Sequence, residues 1–327
     1  MPAPSVSLST LRPDLASFFE FDLEANQKNL IGLRVAPVIE VALQADNPGK
    51  IPIEQLLKVG NGRPRASGGA YDRGNWTFTK WSYATEDYGW GEPLDDRDRK
   101  RYQYLVDAEK VCISRAYNNV LLNQEIRMAA LLFSATWISG GASLYTDVGT
   151  TEWVQANWAT ATPIAHVEAA VRKVYANSGV WPNAMVLNRR KFRDLRQCTE
   201  IRERIVASGA GTPAKASDIT VEMLASVFDL DMVIVAGGAK DSATEGQDTV
   251  IADIWGDYAM ICKVAISADI REPCIARTFH WSDNGSQIGG AIRQYRDEEK
   301  HSDIYEVGHD VDEVIMYTEL GHLIGGI

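Results

Sequence analysis

The four cysteines of this 327-residue chain, Cys112, Cys198, Cys262 and Cys274, include no Cys-x-x-Cys pair and show no zinc-ligand spacing. A disulfide framework is thereby excluded, and reduced, mostly buried thiols are expected. No stretch approaches the roughly 18 apolar residues of a membrane span, and the first residues carry no basic region leading into an apolar core. A soluble protein is expected, with neither a secretion signal nor a membrane partner. Basic runs are missing as well. Lys and Arg number 33 against 44 Asp and Glu, a formal charge of -11 with both signs interspersed. Tight binding to nucleic acid needs a concentrated basic surface, so specific recognition of DNA or RNA is not expected.

Catalytic patterns are equally scarce. Gly237-Gly238-Ala239-Lys240-Asp241 follows a strand pattern but lacks the phosphate-loop spacing and is followed by no helix signal. His280, His301, His309 and His322 never adopt His-x-x-x-His spacing and read as surface histidines, with Asp310 and Asp312 nearby on paper only. Ser282 and Asp283 beside His280 are sequence neighbours, whereas triad members come from separate elements. No catalytic, cofactor-binding or metal-ligating set is assigned, no cofactor is expected, and the chain is not read as an enzyme.

What is present is a globular composition, 45% hydrophobic with nine Trp, twelve Tyr and eight Phe. Such anchors serve cores and subunit interfaces alike. The clearest local signals lie in Thr162–Leu195. Thr162 can cap a helix with Pro163 in its first turn and Ile164, Val167, Ala170, Val171 and Val174 on one face; Asn177-Ser178-Gly179 stops it. The turn Gly179-Val180-Trp181-Pro182-Asn183 leads to a buried strand, Ala184 to Leu187, and Asn188 can cap a second helix through Phe192 and Leu195.

Elsewhere, Phe18, Phe19 and Phe21 punctuate a segment with no self-sufficient core, either an arm lying on other subunits or a piece packed on its own domain. A Gly- and Arg-rich loop, residues 59–73, precedes Trp76–Thr85, which is expected as a strand of period two. Trp76, Phe78 and Lys80 would face one way and Thr77, Thr79 and Trp81 the other, either across a neighbouring subunit or docked on the chain's own domain. Tyr88–Pro93, with Trp90, ends that excursion. Asp95 or Asp96 can then cap a helical pattern from about Arg97 to Ala135, about 55 Å long at ~1.5 Å per residue unless broken near Asn118-Asn119. Thr220 can cap a helix ending near Phe228; Met232–Ala236 and the Trp255-Gly256 region read as strands, and Ile304–Val307 and Asp312–Thr318 as two more.

Taken in order, the Thr162-Pro163-Ile164 helix start, the Gly-Val-Trp-Pro-Asn turn, the Val-Leu strand, the Phe192–Leu195 helix and Ile201–Ile205 resemble the major capsid proteins of tailed bacteriophages, the Hong Kong 97-like family. The resemblance runs from about Phe18 onwards. It implies a mixed α/β (α+β) capsid fold with an N-terminal arm over 1–52, an extended E-loop hairpin over 53–93, and a peripheral domain with a long spine helix over 94–179. An inserted axial domain over 180–290, whose turn holds Trp255 and Gly256, and a return to the peripheral domain over 291–327 complete it. Phe18, Phe19, Trp76, Phe78, Trp81 and Trp90 are then candidate inter-subunit contacts. The implied function is a shell of pentamers and hexamers enclosing double-stranded DNA without specific recognition. Scaffolding and portal proteins, and in some shells a decoration protein, would be its partners, with assembly in the host cytoplasm and residence in the virion. No covalent crosslink between subunits is expected, because the triplet it needs has no match here. The alternatives are an encapsulin-like compartment, which uses the same fold, and a soluble α/β enzyme or binding module.

Overall fold

The computed structural model describes residues 29–327 apart from 61, 76, 103–106, 150–151, 208–217, 245 and 284–290. Phe18, Phe19 and Trp76 therefore lie outside the described residues. The strands of three or more residues are β1 (Val38–Val41), β2 (Glu86–Asp95), β3 (Tyr145–Asp147), β4 (Ala184–Asn188), β5 (Met232–Ala236), β6 (Ala239–Asp241), β7 (Ile251–Asp253), β8 (Ala259–Cys262), β9 (Ala276–Trp281), β10 (Ala291–Asp297), β11 (Ser302–Ile315) and β12 (Gly321–Gly325). The α-helices are α1 (Gly32–Val35), α2 (Ile53–Leu56), α3 (Asp96–Tyr102), α4 (Ala108–Leu132), α5 (Ala135–Ser139), α6 (Pro163–Ser178), α7 (Arg189–Leu195), α8 (Thr199–Ala207) and α9 (Val221–Val227).

Every residue of β4 is buried, and the period-two geometry of a strand sends its side chains to two different cores. Met185 and Leu187, with Ala259, Ile261 and Ile324, join Trp153, Val167, Val171, Phe192 and Ile201. Ala184 and Val186, with Met260, Cys262 and Leu323, join Ile31, Val35, Met128, Leu132, Trp137 and Trp255. A sheet covered on both faces needs an unbroken apolar run, which is why Ala184–Leu187 shows no polar alternation. This sheet has the order β3-β12-β8-β4-β5, with β4 parallel to β5 and antiparallel to β8.

The elements around it follow local signals closely. Gly179 ends α6 at φ 69°, in the left-handed region that favours glycine. Asn188 caps α7 by accepting from Lys191 N at 2.8 Å, and Thr220 caps α9 by accepting from Met223 N at 3.4 Å. Thr162 precedes α6 without a side-chain cap; the carboxylate of Glu200 instead accepts from Ile164 N at 3.0 Å.

The other sheet has the order β1-β9-β11-β10, with β2 on the free side of β11. Here the sequence expectation needs correction. Ile304–Val307 and Asp312–Thr318 are not two strands: one strand of 14 residues, β11, runs through Gly308-His309-Asp310. Tyr88–Pro93 is not the end of an excursion but the middle of β2, paired with β11 from Asp95 opposite Ser302 to Glu86 opposite Val311. Gly89 sits opposite Gly308, and a Cβ on Gly89 would lie 3.2 Å from Val307 O, so this glycine permits close strand approach rather than a turn. Pro93 is tolerated because β2 is an edge strand.

The expected long helix is two. Asp107, at φ -72° and ψ 89°, caps α4 by accepting from Lys110 N, while Asn118-Asn119 is helical throughout. At 25 residues α4 is about 37 Å long, against the ~55 Å expected. It lays Ala116 and Val120 on Val307 of the β11 sheet, then Met128, Ala129 and Leu132 against the β4 sheet.

The domain boundaries shift accordingly. Residues 29–52, assigned to an arm, enter the body: Ile31 and Val35 are core, and β1 runs parallel to β9. β3 lies in the β4 sheet, and α6 packs against it, although both fall within 94–179; β9, within 180–290, lies in the β11 sheet. The C-terminal segment divides, β10 and β11 going to one sheet and β12 to the other, between β3 and β8.

Candidate functional site

The sequence offers no chemistry-bearing constellation, so the candidate site is a surface for association. It begins where the chain leaves the body after α2. Residues 57–60, 62–75 and 77–80 are all exposed, returning through a two-residue pairing of Thr79-Lys80 with Gly49-Lys50. In place of the continuous strand expected over Trp76–Thr85, the described residues form two separate two-residue strands, Thr79–Lys80 and Tyr83–Ala84, and Thr77 N donates to Gln55 Oε1 at 2.8 Å.

The candidate aromatics separate by environment. Phe78 is 66% exposed. Trp90 is 45% exposed, its indole donating to Glu92 Oε1 at 3.0 Å. Trp81, by contrast, packs on its own chain, 5.2 Å from Phe279 and 6.0 Å from Tyr83, which itself stacks on Phe279 at 4.8 Å. Trp81→Ala is therefore expected to cost the isolated subunit about 2 kcal/mol, and Phe78→Ala less than about 0.5 kcal/mol. Urea titrations of dilute subunit would show the order, and equal losses would remove the distinction.

Trp255 and Gly256 lie in the turn between β7 and β8, with Trp255 buried and Gly256 exposed. Trp255 is 1% exposed, meets Phe133 edge-on at 4.9 Å, and donates its indole N–H to Glu125 Oε1 at 2.6 Å. The same carboxylate accepts from Ile31 N at 2.9 Å and Gly32 N at 2.6 Å, so one acid on α4 ties down the start of α1 and the turn after β7. A Cβ at position 32 would stand 2.7 Å from Glu125 Oε2, so a larger residue there would displace the carboxylate. Burial pushes the Glu125 carboxyl up, and its three donors work against that rise. Asn188 holds the turn from the other side, donating to Trp255 O, Gly256 O and Asp257 Oδ1.

Three histidines read as surface residues are buried. His309 is 0% exposed and His280 2%, on β11 and β9. Above them Arg127 of α4 lies 3.6 Å over the Tyr88 ring and forms a bidentate pair with Glu313 at 2.9 and 3.1 Å. Burial, then Arg127 and His280, press the His309 pKa down to about 4. His322, 0% exposed, has its Nδ1 2.9 Å from Ser143 O and its Nε2 2.8 Å from Thr146 Oγ1. A carbonyl only accepts, so the proton sits on Nδ1, and burial again lowers the pKa to about 4. Alternating strand faces placed these rings inside, a result that depends on register rather than residue type.

Gly237 and Gly238 serve the backbone, Gly237 N donating to Asn29 O at 3.2 Å, and β6 rather than a helix follows. Cys198, Cys262 and Cys274 are free and buried, with burial pushing the Cys198 and Cys262 thiols up to about 12. Among the described residues no group of three or more His, Cys, Asp or Glu could hold a metal ion, and no helix is long and apolar enough to cross a membrane.

No protein-family model matches the chain, and no curated protein matches it. Solved structures do. A phage-related protein from Bordetella bronchiseptica is similar at 21% identity and a TM-score of 0.66, with 97% of each chain covered. The capsid structure of cyanophage P-SCSP1u is similar at 10% identity and 0.53, covering 89% of this chain and 86% of that one. The encapsulin of the holo-SrpI complex from Synechococcus elongatus is similar at 9% and 0.51, covering 90% and 86%. The chain has a mixed α/β fold that resembles the fold of these solved structures. The resemblance read from the sequence holds at the level of the overall fold. Within it, sequence reasoning missed Glu125, whose signal was an acid set among Val120, Met128 and Ala129 on the apolar side of a helix.

Proposed function

We propose that this chain is the major capsid protein of a tailed phage, assembling from pentamers and hexamers into an icosahedral head around double-stranded DNA. The observation that carries the reading is the exposed excursion of residues 57–60, 62–75 and 77–80, with Phe78 66% exposed, on a fold similar nearly end to end to that of a phage-related protein. In this reading residues 57–80 are the working part of the E-loop, α4 is the spine helix and the β4 sheet with its helices is the axial domain. Phe18, Phe19, Trp76, Phe78 and Trp90 meet neighbours, each contact weak alone and cooperative once the shell closes. Scaffolding and portal proteins act during assembly in the host cytoplasm, a decoration protein can add to the finished virion, and no catalytic role is assigned. The charge of -11 suits a wall that does not adsorb its contents.

A second reading, an encapsulin-like compartment, is favoured by the likeness to the Synechococcus encapsulin. Negative-stain images of the purified chain, alone and with a scaffolding protein, should show shells or capsomer-sized rings. Particles of monomer size at every concentration would overturn both readings. Shells purified from an infected or induced host should protect double-stranded DNA from nuclease; shells holding only protein would favour the compartment.

A further inference from the structure

Where α1 lies on α4, the two helices leave a pocket of about 140 Å³ walled by Leu30, Leu33 and Leu121. It is small for a soluble ligand but close to the ~150 Å³ of an apolar cavity that takes up a benzene ring. One polar group lines it without a partner. Gln124 of α4 is 3% exposed, and its buried Nε2 meets no acceptor. A buried amide N–H is destabilising until an acceptor reaches it. At the rim stands Arg34, exposed and with no ion pair among the described residues. The pocket suits a phenyl-sized apolar group that brings a carbonyl and a negative charge with it.

The chain carries that combination just ahead of α1. In Glu20-Phe21-Asp22-Leu23-Glu24 acidic and apolar residues alternate, and in extended backbone this sends Phe21 and Leu23 to one side and the three acids to the other. Ala25-Asn26-Gln27-Lys28-Asn29 then joins Glu24 to Leu30, a connection of ordinary length whose closure costs little entropy. We infer that residues 20–24 fold back on their own chain. Phe21 places its ring between Leu30, Leu33 and Leu121, a main-chain carbonyl beside it accepts from Gln124 Nε2, and Asp22 faces Arg34 from the outer side. This concerns a single copy and does not rest on shell assembly; within the shell reading it fixes the point from which residues 1–19, with Phe18 and Phe19, set out towards neighbours.

Hydrogen exchange followed segment by segment on the dilute full chain tests this, with β4 as the internal reference for an intact fold. Amides of residues 20–24 should exchange about tenfold slower in the wild type than in Phe21→Ala, whereas Phe18→Ala should leave them protected. Gln124→Leu separates a filled pocket from an empty one: loss of the donor should speed exchange at 20–24 about tenfold, and no change there would overturn the proposal. Arg34→Glu, on the surface and away from the core, should speed it severalfold, which keeps the test decisive if the Phe21→Ala chain does not fold. Unprotected amides at 20–24 in the wild type would overturn the fold-back. Protection that arises only on assembly would overturn it in favour of the same segment from a neighbouring copy, and protection lost in Phe18→Ala instead of Phe21→Ala would overturn the assigned insertion.

Discussion

Glu125→Ala is expected to cost the subunit about 4 kcal/mol, a large part of the stability of an ordinary domain. The loss comes less from the carboxylate than from what it leaves behind: Ile31 N, Gly32 N and the Trp255 indole become buried donors without an acceptor. Each orphan costs ~1–3 kcal/mol, relieved in part where α1 can shift towards water. Glu125→Gln keeps the shape but turns an amide N–H₂ towards one of the donors, so an intermediate loss of about 2 kcal/mol is expected. Trp255→Phe removes a single donor, and combined with Glu125→Ala its effect should be strongly non-additive. Urea titrations of the four chains test this; a loss below about 1 kcal/mol for Glu125→Ala would show that the acid is not the tie between α4, α1 and the turn.

Mild acid is expected to weaken the fold well before carboxylates titrate. His309 and His322 have folded pKa values of about 4 against 6.5 in the unfolded chain. Between those values the unfolded chain binds protons that the folded chain refuses, so stability falls as pH drops from 6.5 to 4 and levels off below. Each ring contributes about 3 kcal/mol to the loss across that window. Around His309 the charged neighbours are Arg127 from α4, His280 from β9 and Asp310 beside it, and around His322 the nearest cation is Lys173. Glu272, held to about 2 by Ile266 N and Ser267, acts in the same direction only from pH 4.5 downwards, so the two windows meet near pH 4. Urea midpoints should fall steadily from pH 7 to 4, and His309→Gln should remove about half of the slope. A flat profile over that range would show that the folded rings take up protons as readily as those of the unfolded chain.

What the sequence made legible was local. The stop at Gly179, the caps at Asn188 and Thr220 and the buried run Ala184–Leu187 each depend on residues within a turn of one another, and each was found where expected. Their order was enough to point to the shell-protein fold. What failed was non-local. Gly89, Gly91 and Pro93 carry turn chemistry, and only the presence of β11 alongside makes them a strand. Glu200 replaces Thr162 as cap from 36 residues away, and Glu125 meets Ile31 and Trp255 at separations of 94 and 130. Alternation told the faces of Phe78 and Trp81 apart but could not say that Phe279 covers only the second.

The strand order has a consequence for synthesis. β11 joins β2, β9 and β10 in one sheet, β12 lies between β3 and β8 in the other, and both follow every other described strand in chain order. Until Ser302–Gly325 emerges, β2, β9 and β10 have no common partner, and β8 lacks one of its two neighbours. Neither half of the subunit can close early. A polypeptide cut short before Ser302 therefore leaves both sheets incomplete at once, so a truncated copy is marked by exposed strand edges over its whole body rather than at one end.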